Sequence, residues 1–293
     1  MKKKSEQIRT VGLIANYGKA GSRDIVRQAA ELVKKSRRTV LSDEETASFA
    51  GLGCKVLPDV ADVARRSDCL LVFGGDGTML RALRECQGAR TPILGINVGR
   101  LGFLTAVPSK NLRPALEQIW AKDFVIESRS LIEAFGHSRG KSINLCALND
   151  IVISRAASRM IELEVSVNGE TLTRYRSDGL IVSSPTGSTA YSLSAGGAIV
   201  SPDAAVFEIT PICPHTLSNR SVIVGNHSVI AVKVISEHLE TTLTADGQVE
   251  ETLVAGDIIT IRQSRRTLQL LSLSGSSFFN TLRQKLHWSG SNV

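Results

Sequence analysis

Gly74-Gly75-Asp76-Gly77-Thr78 is the stretch of this chain whose residue types and spacing say most about chemistry. The apolar run Cys69 to Phe73 leads straight into it, and a helix is expected from Met79 to Cys86. Glycines let the backbone approach a bulky anion, and a helix N-terminus offers unpaired N–H groups at the positive end of its dipole. Strand, glycine loop and helix in that order therefore suit a phosphate. A carboxylate in a loop that merely held phosphate would repel it. Asp76 makes sense if it takes a proton from an attacking hydroxyl or organises a metal ion; the plain alternative is a tight turn with Asp76 as helix cap. The loop contains neither GxxxxGK[ST] nor GxGxxG, which disfavours a P-loop NTPase and a simple dinucleotide fingerprint.

Three further segments carry polar groups worth weighing. Ser177-Asp178-Gly179 precedes a buried strand, Leu180 to Val182, and a hydroxyl-rich stretch, Ser183 to Gly197, follows it. Such hydroxyls can bond sugars, phosphates and base edges without a cost in charge; a plain surface loop is the alternative. Asn149-Asp150 stands before the strand run Ile151-Val152-Ile153 and alone would be an ordinary turn. Gly136-His137-Ser138-Arg139-Gly140 matches GxSxG, but a nucleophile elbow needs a strand before it and a helix after. Here Ser142 to Ala147 reads as strand, so a hairpin tip is expected. The histidines (137, 215, 227, 238, 287) lack HxxxH spacing, and the five cysteines (54, 69, 86, 146, 213) include no CxxC pair. No metal-ligand set and no disulfide framework is assigned.

The elements that must position these groups change character along the chain. Val11 to Ala15, Cys69 to Phe73 and Pro92 to Ile96 read as strands, separated by helical spacing over 23–35 and 112–120. That alternation predicts an α/β domain with a mostly parallel, Rossmann-like sheet over 1–122. Beyond it, period-two alternation appears in Ile161 to Val167, followed by Asn168-Gly169, a strong hairpin signal. Strand runs at 221–224, 229–234, 241–244, 257–261 and 268–271 continue the pattern, predicting an all-β sandwich over 123–270. A final segment, 271–293, carries an amphipathic helix expected to pack back on the first domain. The 293 residues allow one large or two ordinary domains at roughly 100–200 residues each.

Composition narrows the function classes. Hydrophobic residues at 42% and charged residues at 22% exclude a disordered chain, and 4% aromatics argues against a base-stacking surface. The net charge of +7 (35 basic against 28 acidic residues) is spread over Lys2 to Lys4, Lys34, Lys35, Arg37, Arg38, Arg265 and Arg266, with no basic stripe interleaved with aromatics. Nucleic acid is therefore not expected. No apolar run approaches 18 residues, so no membrane span is expected. Unpaired cysteines fit a reducing cytoplasm.

Taken in order, these motifs resemble one family closely, the NAD kinases, relatives of other kinases that share a GGDG loop. The resemblance covers most of the chain. It rests on the GGDGT loop at 74–78, Gly95 to Thr105 (GINVGRLGFLT), Asn149-Asp150, Ser177 to Ile181, Ser184 to Ser194 and Ala245-Asp-Gly-Gln248. It implies transfer of the ATP γ-phosphoryl to the 2′-hydroxyl of the adenosine ribose of NAD. Inorganic polyphosphate serves some relatives as donor. It further implies a divalent cation, Mg²⁺ foremost, and a homo-oligomer, dimer or tetramer. Carried over by motif, Asp76 is the general base or metal organiser, with Gly74, Gly75, Gly77 and Thr78 on the phosphate side. Asn149 and Asp150 hold ribose hydroxyls or adenine, and Asp178 contacts the nicotinamide half. Thr189, Ala190, Tyr191, Ser192, Leu193 and Ser194 line the adenine and ribose pocket, and Gln248 reaches the dinucleotide. Arg159 and Arg176 fall where the family places side chains near NAD. The pair position in the family is often Asn-Glu; Asp150 keeps the acceptor but draws it back by one methylene. A lipid or sugar kinase lacks the 184–194 stretch. A non-catalytic dinucleotide sensor would have no use for Asp76 beside phosphates.

Overall fold

The computed structural model describes residues 8–288 apart from 19–20, 106, 157–158, 217 and 238–239. Lys2, Lys3, Lys4 and His238 lie outside the described residues. The chain forms two compact units, Met1–Ser128 with Leu268–Val293, and Arg129–Thr267.

The first unit alternates strands and helices: β1 (Thr10–Ala15), α1 (Ser22–Lys35), β2 (Thr39–Asp43), α2 (Glu44–Ala50), β3 (Lys55–Leu57), α3 (Val60–Arg66), β4 (Cys69–Gly74), α4 (Asp76–Glu85), β5 (Ile93–Asn97), β6 (Val107–Pro108) and α5 (Leu112–Trp120). Its strands pair in parallel in the order β5-β4-β1-β2-β3, with β6 beside β5. Every residue of β4 is buried. Helices cover both faces of a parallel sheet, which is why Cys69 to Phe73 is continuously apolar rather than alternating. Val26, Ala29, Ala30 and Val33 of α1 share its buried face, while Asp24 opens the helix and Lys34 and Lys35 close it, matching the helix dipole.

The chain continues through β7 (Phe124–Ser138), β8 (Lys141–Ala147), β9 (Asp150–Arg155), β10 (Ile161–Val167), β11 (Glu170–Ser177), β12 (Gly179–Ser183), α6 (Tyr191–Ser194), β13 (Val206–Ile212), β14 (Val222–Gly225), β15 (Ile230–Val234), β16 (Thr241–Ala245), β17 (Val249–Leu253), β18 (Ile258–Leu273) and α7 (Phe278–Lys285). The second unit is antiparallel throughout. Strands β11-β10-β15-β18 run side by side, β7 pairs with β8 and β18, and a second sheet runs β14-β13-β12-β9-β16-β17. Ile151, Leu180 and Phe207 from one sheet and Leu163, Val165, Val232 and Ile261 from the other form a single buried core. Buried residues alternate with less buried ones along β10 and β15, as a sandwich requires. Asn168 and Gly169 both take positive φ, at 54° and 85°, the turn that matches strand twist in a two-residue hairpin.

Three elements differ from the expectations raised by the sequence. Helix α4 starts at Asp76, three residues earlier than expected, because Gly75 is extended and caps it. The runs 257–261 and 268–271 are parts of one long strand, β18, whose polar middle hides their continuity. The last helix is shorter than its amphipathic pattern: α7 ends at Lys285. The GxSxG segment is a hairpin turn between β7 and β8, with Arg139 and Gly140 at positive φ, so no nucleophile elbow exists there.

Two late segments complete the first unit. Leu270 of β18 pairs in parallel with Ile93 of β5. Phe278 of α7 packs on Phe103 at 6.1 Å between ring centroids, and Lys285 Nζ lies 4.7 Å from the same ring centroid. No helix among the described residues is long and apolar enough to cross a membrane. Phe207 is fully buried in the sandwich core. Phe207→Ala should lower unfolding free energy by about 3–5 kcal/mol, read from urea titration of the whole chain.

Candidate functional site

In the first unit, the loop after β4 is built around one carboxylate. Gly74 ends β4, Gly75 caps α4, and Asp76 is the first residue of the helix. Asp76 Oδ2 accepts a hydrogen bond from the Phe103 N–H at 2.8 Å. Its Oδ1 accepts from the Leu104 N–H at 3.0 Å and from both the N–H and the hydroxyl of Thr105 at 3.1 Å. A Cβ on Gly102 would collide with Asp76 Oδ1 and Thr105 Oγ1, so the loop closes this tightly only with glycine there. Asn97, buried at the end of β5, fixes the loop from behind: its Nδ2 donates to Thr105 Oγ1 and the Arg100 carbonyl, and its Oδ1 accepts from the Gly99 N–H. Thr78 accepts from Gly75 N–H and from Asn16 Nδ2, tying the loop after β4 to the residue after β1. The strand order reverses direction between β1 and β4, and ligands of open parallel sheets bind at that crevice, outside the carboxyl ends of the strands. A Cβ on Gly77 would meet nothing within 4 Å, so protein packing does not demand glycine at that position.

The second unit repeats the device. Asp246, in the turn after β16, accepts from three successive backbone N–H groups: Leu148 at 2.9 Å, Asn149 at 2.7 Å and Asp150 at 3.3 Å. The Asn149 carbonyl in turn accepts from the Ser184 N–H at 2.8 Å, and a Cβ on Gly187 would collide with that carbonyl. Asn149, Asp150, the start of the 184–194 stretch, Asp246 and Gln248 thus gather where β9 begins and β12 and β16 end. Asp150 is 4% exposed. Burial, aided by the nearby Asp246 charge, pushes its carboxyl from 3.8 up to about 7.

The hydroxyls of the 183–192 stretch largely turn inward. Ser184 donates to the Leu148 carbonyl, Ser188 to Pro185, and Ser183 to Ser184. Ser192, expected to line a pocket, is fully buried and its hydroxyl donates to Glu208. Its side chain is therefore occupied by the protein. Thr189, Ala190 and Leu193 are half-buried, and Tyr191 and Ser194 are exposed. Asp178 lies at the other end of β12, about 13 Å along the strand, where Arg155 grips both of its oxygens at 2.7 and 3.2 Å. Arg159 and Arg176 are exposed on that side and are not brought to the Asn149 cluster. Asn16, Asn97, Thr105, Asp246 and Glu208 join the sites without having been expected there. Asn97, Thr105 and Asp246 stand inside the GINVGRLGFLT and Ala-Asp-Gly-Gln blocks, which could have pointed to them, whereas Glu208 sits in an apolar run without a local signal.

The Asp150 environment makes stability depend on pH. The folded carboxyl keeps its proton up to about pH 7 and the unfolded one releases it near 3.8, so the folded state binds more protons in between. That contribution is fully present below about pH 4 and is lost as pH rises through about 7. Relative to Asp150→Asn, the natural chain should lose up to a few kcal/mol of unfolding free energy between about pH 4.5 and 7.5 in urea titrations.

Residues 11–124 match the ATP-NAD kinase N-terminal domain and residues 148–273 the ATP-NAD kinase C-terminal domain. The chain is 40% identical over 283 residues to an NAD kinase from Desulforamulus reducens, covering 94% of this chain and 96% of that protein. It is 39% identical to one from Paraburkholderia phytofirmans, covering 97% and 95%. Among solved structures, the yeast NADH kinase complexed with NADH aligns with a TM-score of 0.89 at 26% identity, over 98% of this chain and 90% of that one. An NAD kinase from Archaeoglobus fulgidus in complex with ATP aligns with a TM-score of 0.76 at 25% identity, over 96% and 100%. With both halves matched in order and relatives aligned almost end to end, the chain belongs to the NAD kinase family and is a phosphotransferase that acts on an alcohol group of NAD.

Proposed function

We propose that Asp76 is the general base of this NAD kinase and that one oxygen of its carboxylate is reserved for the reaction. The observation that carries the reading is the uneven use of that carboxylate. Among the described residues, Oδ1 accepts three hydrogen bonds and Oδ2 one. A carboxylate has about four acceptor sites, two per oxygen. Oδ1 is saturated and orients the group, while Oδ2 keeps capacity for a substrate hydroxyl. In the reaction, the 2′-hydroxyl oxygen of the adenosine ribose bonds to the γ-phosphorus of ATP. The bond from that phosphorus to the bridging oxygen of ADP breaks, and the hydroxyl proton passes to Asp76 Oδ2. Phosphoryl transfer asks mainly for positioning and charge neutralisation, and a placed base adds about 10²–10⁴-fold.

The donor phosphates are assigned to Gly74, Gly75, Gly77 and Thr78 at the start of α4. The open space beside Gly77 supports a close approach there by a ligand. Asn149, Asp150, Gln248, Thr189, Ala190, Tyr191, Leu193 and Ser194 are assigned to the adenine and ribose of NAD, and Asp178, with Arg159 and Arg176, to its far half. About 13 Å separates the two ends of β12, a span that suits an extended dinucleotide. Among the described residues no group of three or more His, Cys, Asp or Glu could hold a metal. That fits Mg²⁺ carried on ATP, since Mg²⁺ keeps several waters and binds phosphates with one or two carboxylates. Carried in with the phosphates, the ion would neutralise charge on the transferring phosphoryl. We assign ATP as donor, the cytoplasm as compartment and a homo-oligomer as the working form. The unpaired cysteines support a reducing compartment, and the exposed Leu172, Ile223, Val229 and Ile258 of the β unit support assembly.

Asp76→Asn keeps an oxygen for the Oδ1 bonds but removes the base. It should lower NADP formation from NAD, ATP and Mg²⁺ by at least about a hundredfold, with NAD affinity by calorimetry nearly unchanged. Turnover equal to the natural chain would overturn the assignment. Gly102→Ala drives a methyl group against Asp76 Oδ1. It should cost turnover of the order of a hundredfold while the melting temperature moves by a few degrees, because a misplacement of about 1 Å is enough.

A further inference from the structure

Glu208 is a carboxylate placed where the fold alone would choose a hydrocarbon. It sits mid-strand in β13 between the fully buried Phe207 and Ile209 and is itself 1% exposed. Among the described residues no ion pair reaches it. Burying a carboxylate without a cation is costly unless hydrogen bonds compensate it. Its two oxygens are used separately: Oε1 accepts from the Ala198 N–H at 2.5 Å, and Oε2 accepts from the Ser192 hydroxyl at 2.8 Å.

Counting protons gives the network a direction. Each hydroxyl has one proton to donate. That of Ser192 goes to Glu208, so Ser192 accepts from Thr210 at 3.0 Å. The Thr210 proton is then used, so Thr210 accepts from Ser221 at 3.0 Å. Three hydroxyls in series point at one carboxylate, each polarising the next. Ser192 belongs to α6, a single turn of four residues, and an isolated turn cannot hold its own shape. A Cβ on Gly197 would press on Ser192 Oγ and Glu208 Oε1, so the chain after α6 wraps closely around the same anchor. With Ser192 held inward, Tyr191 and Ser194, three residues apart, share the outer face of the turn.

We propose that Glu208 is a positioning residue for NAD binding: through Ser192 and the Ala198 N–H it sets the orientation of α6 and so of Tyr191 and Ser194. This rests on the assignment of Tyr191 and Ser194 to the dinucleotide. Glu208→Gln can keep its carbonyl oxygen on Ala198 and donate its amide to Ser192. The hydroxyl chain then reverses, with the Ala198 N–H and the Ser192 hydroxyl both still bonded to residue 208. Glu208→Ala removes the acceptor that both the Ala198 N–H and the Ser192 hydroxyl use, and Ser192→Ala cuts the same link with less change in volume.

The test is steady-state kinetics of these three variants and Tyr191→Ala, with melting temperatures as a check on folding. Glu208→Ala and Ser192→Ala should raise KM for NAD roughly tenfold and leave KM for ATP and kcat within about twofold, whereas Glu208→Gln should keep KM for NAD within about twofold of the natural chain. Should Glu208→Ala fail to fold, Ser192→Ala decides. Folded Glu208→Ala or Ser192→Ala chains with an unchanged KM for NAD would overturn the proposal, as would a Gln variant as impaired as the Ala variant. Tyr191→Ala separates the two layers. If it raises KM for NAD while the Glu208 and Ser192 variants do not, only the positioning role falls. If it has no effect, the assignment of α6 to the dinucleotide falls and takes the positioning role with it.

Discussion

The carboxylate of Asp76 is the point on which the first unit converges. It draws in the N–H groups of Phe103, Leu104 and Thr105, and the loop they form is held from behind by Asn97 and from the side by Phe278 and Lys285. Hydrogen bonds to an ionised acceptor are shorter and stronger than neutral ones. The irregular loop from Val98 to Thr105, with glycines at 99 and 102, gains from them an order that its own propensities would not supply. The requirement for glycine at 102 follows from this carboxylate, as does the burial of Thr105 and Asn97. The group that orders the loop is the one assigned above to the reaction, so on that proposal a single side chain serves both structure and catalysis.

Asp246 does the equivalent work in the β unit. It gathers the N–H groups of 148–150 and leaves the Asn149 carbonyl to hold Ser184. Both units thus use one aspartate to fix a loop at the end of a sheet. The difference lies in position: Asp76 opens helix α4, whereas Asp246 stands in the turn after β16. Around α6 the burden passes to serine hydroxyls directed into the protein, which frees the exposed Tyr191 and Ser194 of structural duty.

What can be read from the sequence is what is local. A buried parallel strand leaves a run such as Cys69 to Phe73, and a two-residue hairpin leaves Asn168-Gly169, so both are legible in the order of residues alone. Helix α4 reads as starting late because Gly75 and Gly77 look like loop, although one caps the helix and the other lies within it. The short elements from β2 to α3 leave no clear pattern, since strands of three to five residues and helices of seven give too few turns for a period to show. The direction of a hydroxyl is a long-range property. Ser184 looks like a ligand-binding serine until the Leu148 carbonyl, 36 residues away, is seen to accept its proton. Glu208 is hidden for the same reason: its partners come from another segment, and its neighbours in sequence are apolar.

The first unit is discontinuous, and that has a consequence for how the protein is made. Its sheet receives the end of β18, and the ring of Phe103 receives α7, only after the 139 residues from Arg129 to Thr267 have been added. At synthesis rates of about 5–20 residues per second, that is a wait of roughly 7 to 28 seconds. During that interval the Ile93 end of β5 lacks its β18 partner, and the loop around Asp76 lacks the support of α7. Unpaired edges of that kind invite pairing with other chains, so this is the window in which a ribosome-bound chaperone has most to protect. The loop around Asp76 is written early in the message, yet the support it receives from Phe278 and Lys285 is added only after the whole β unit has been made.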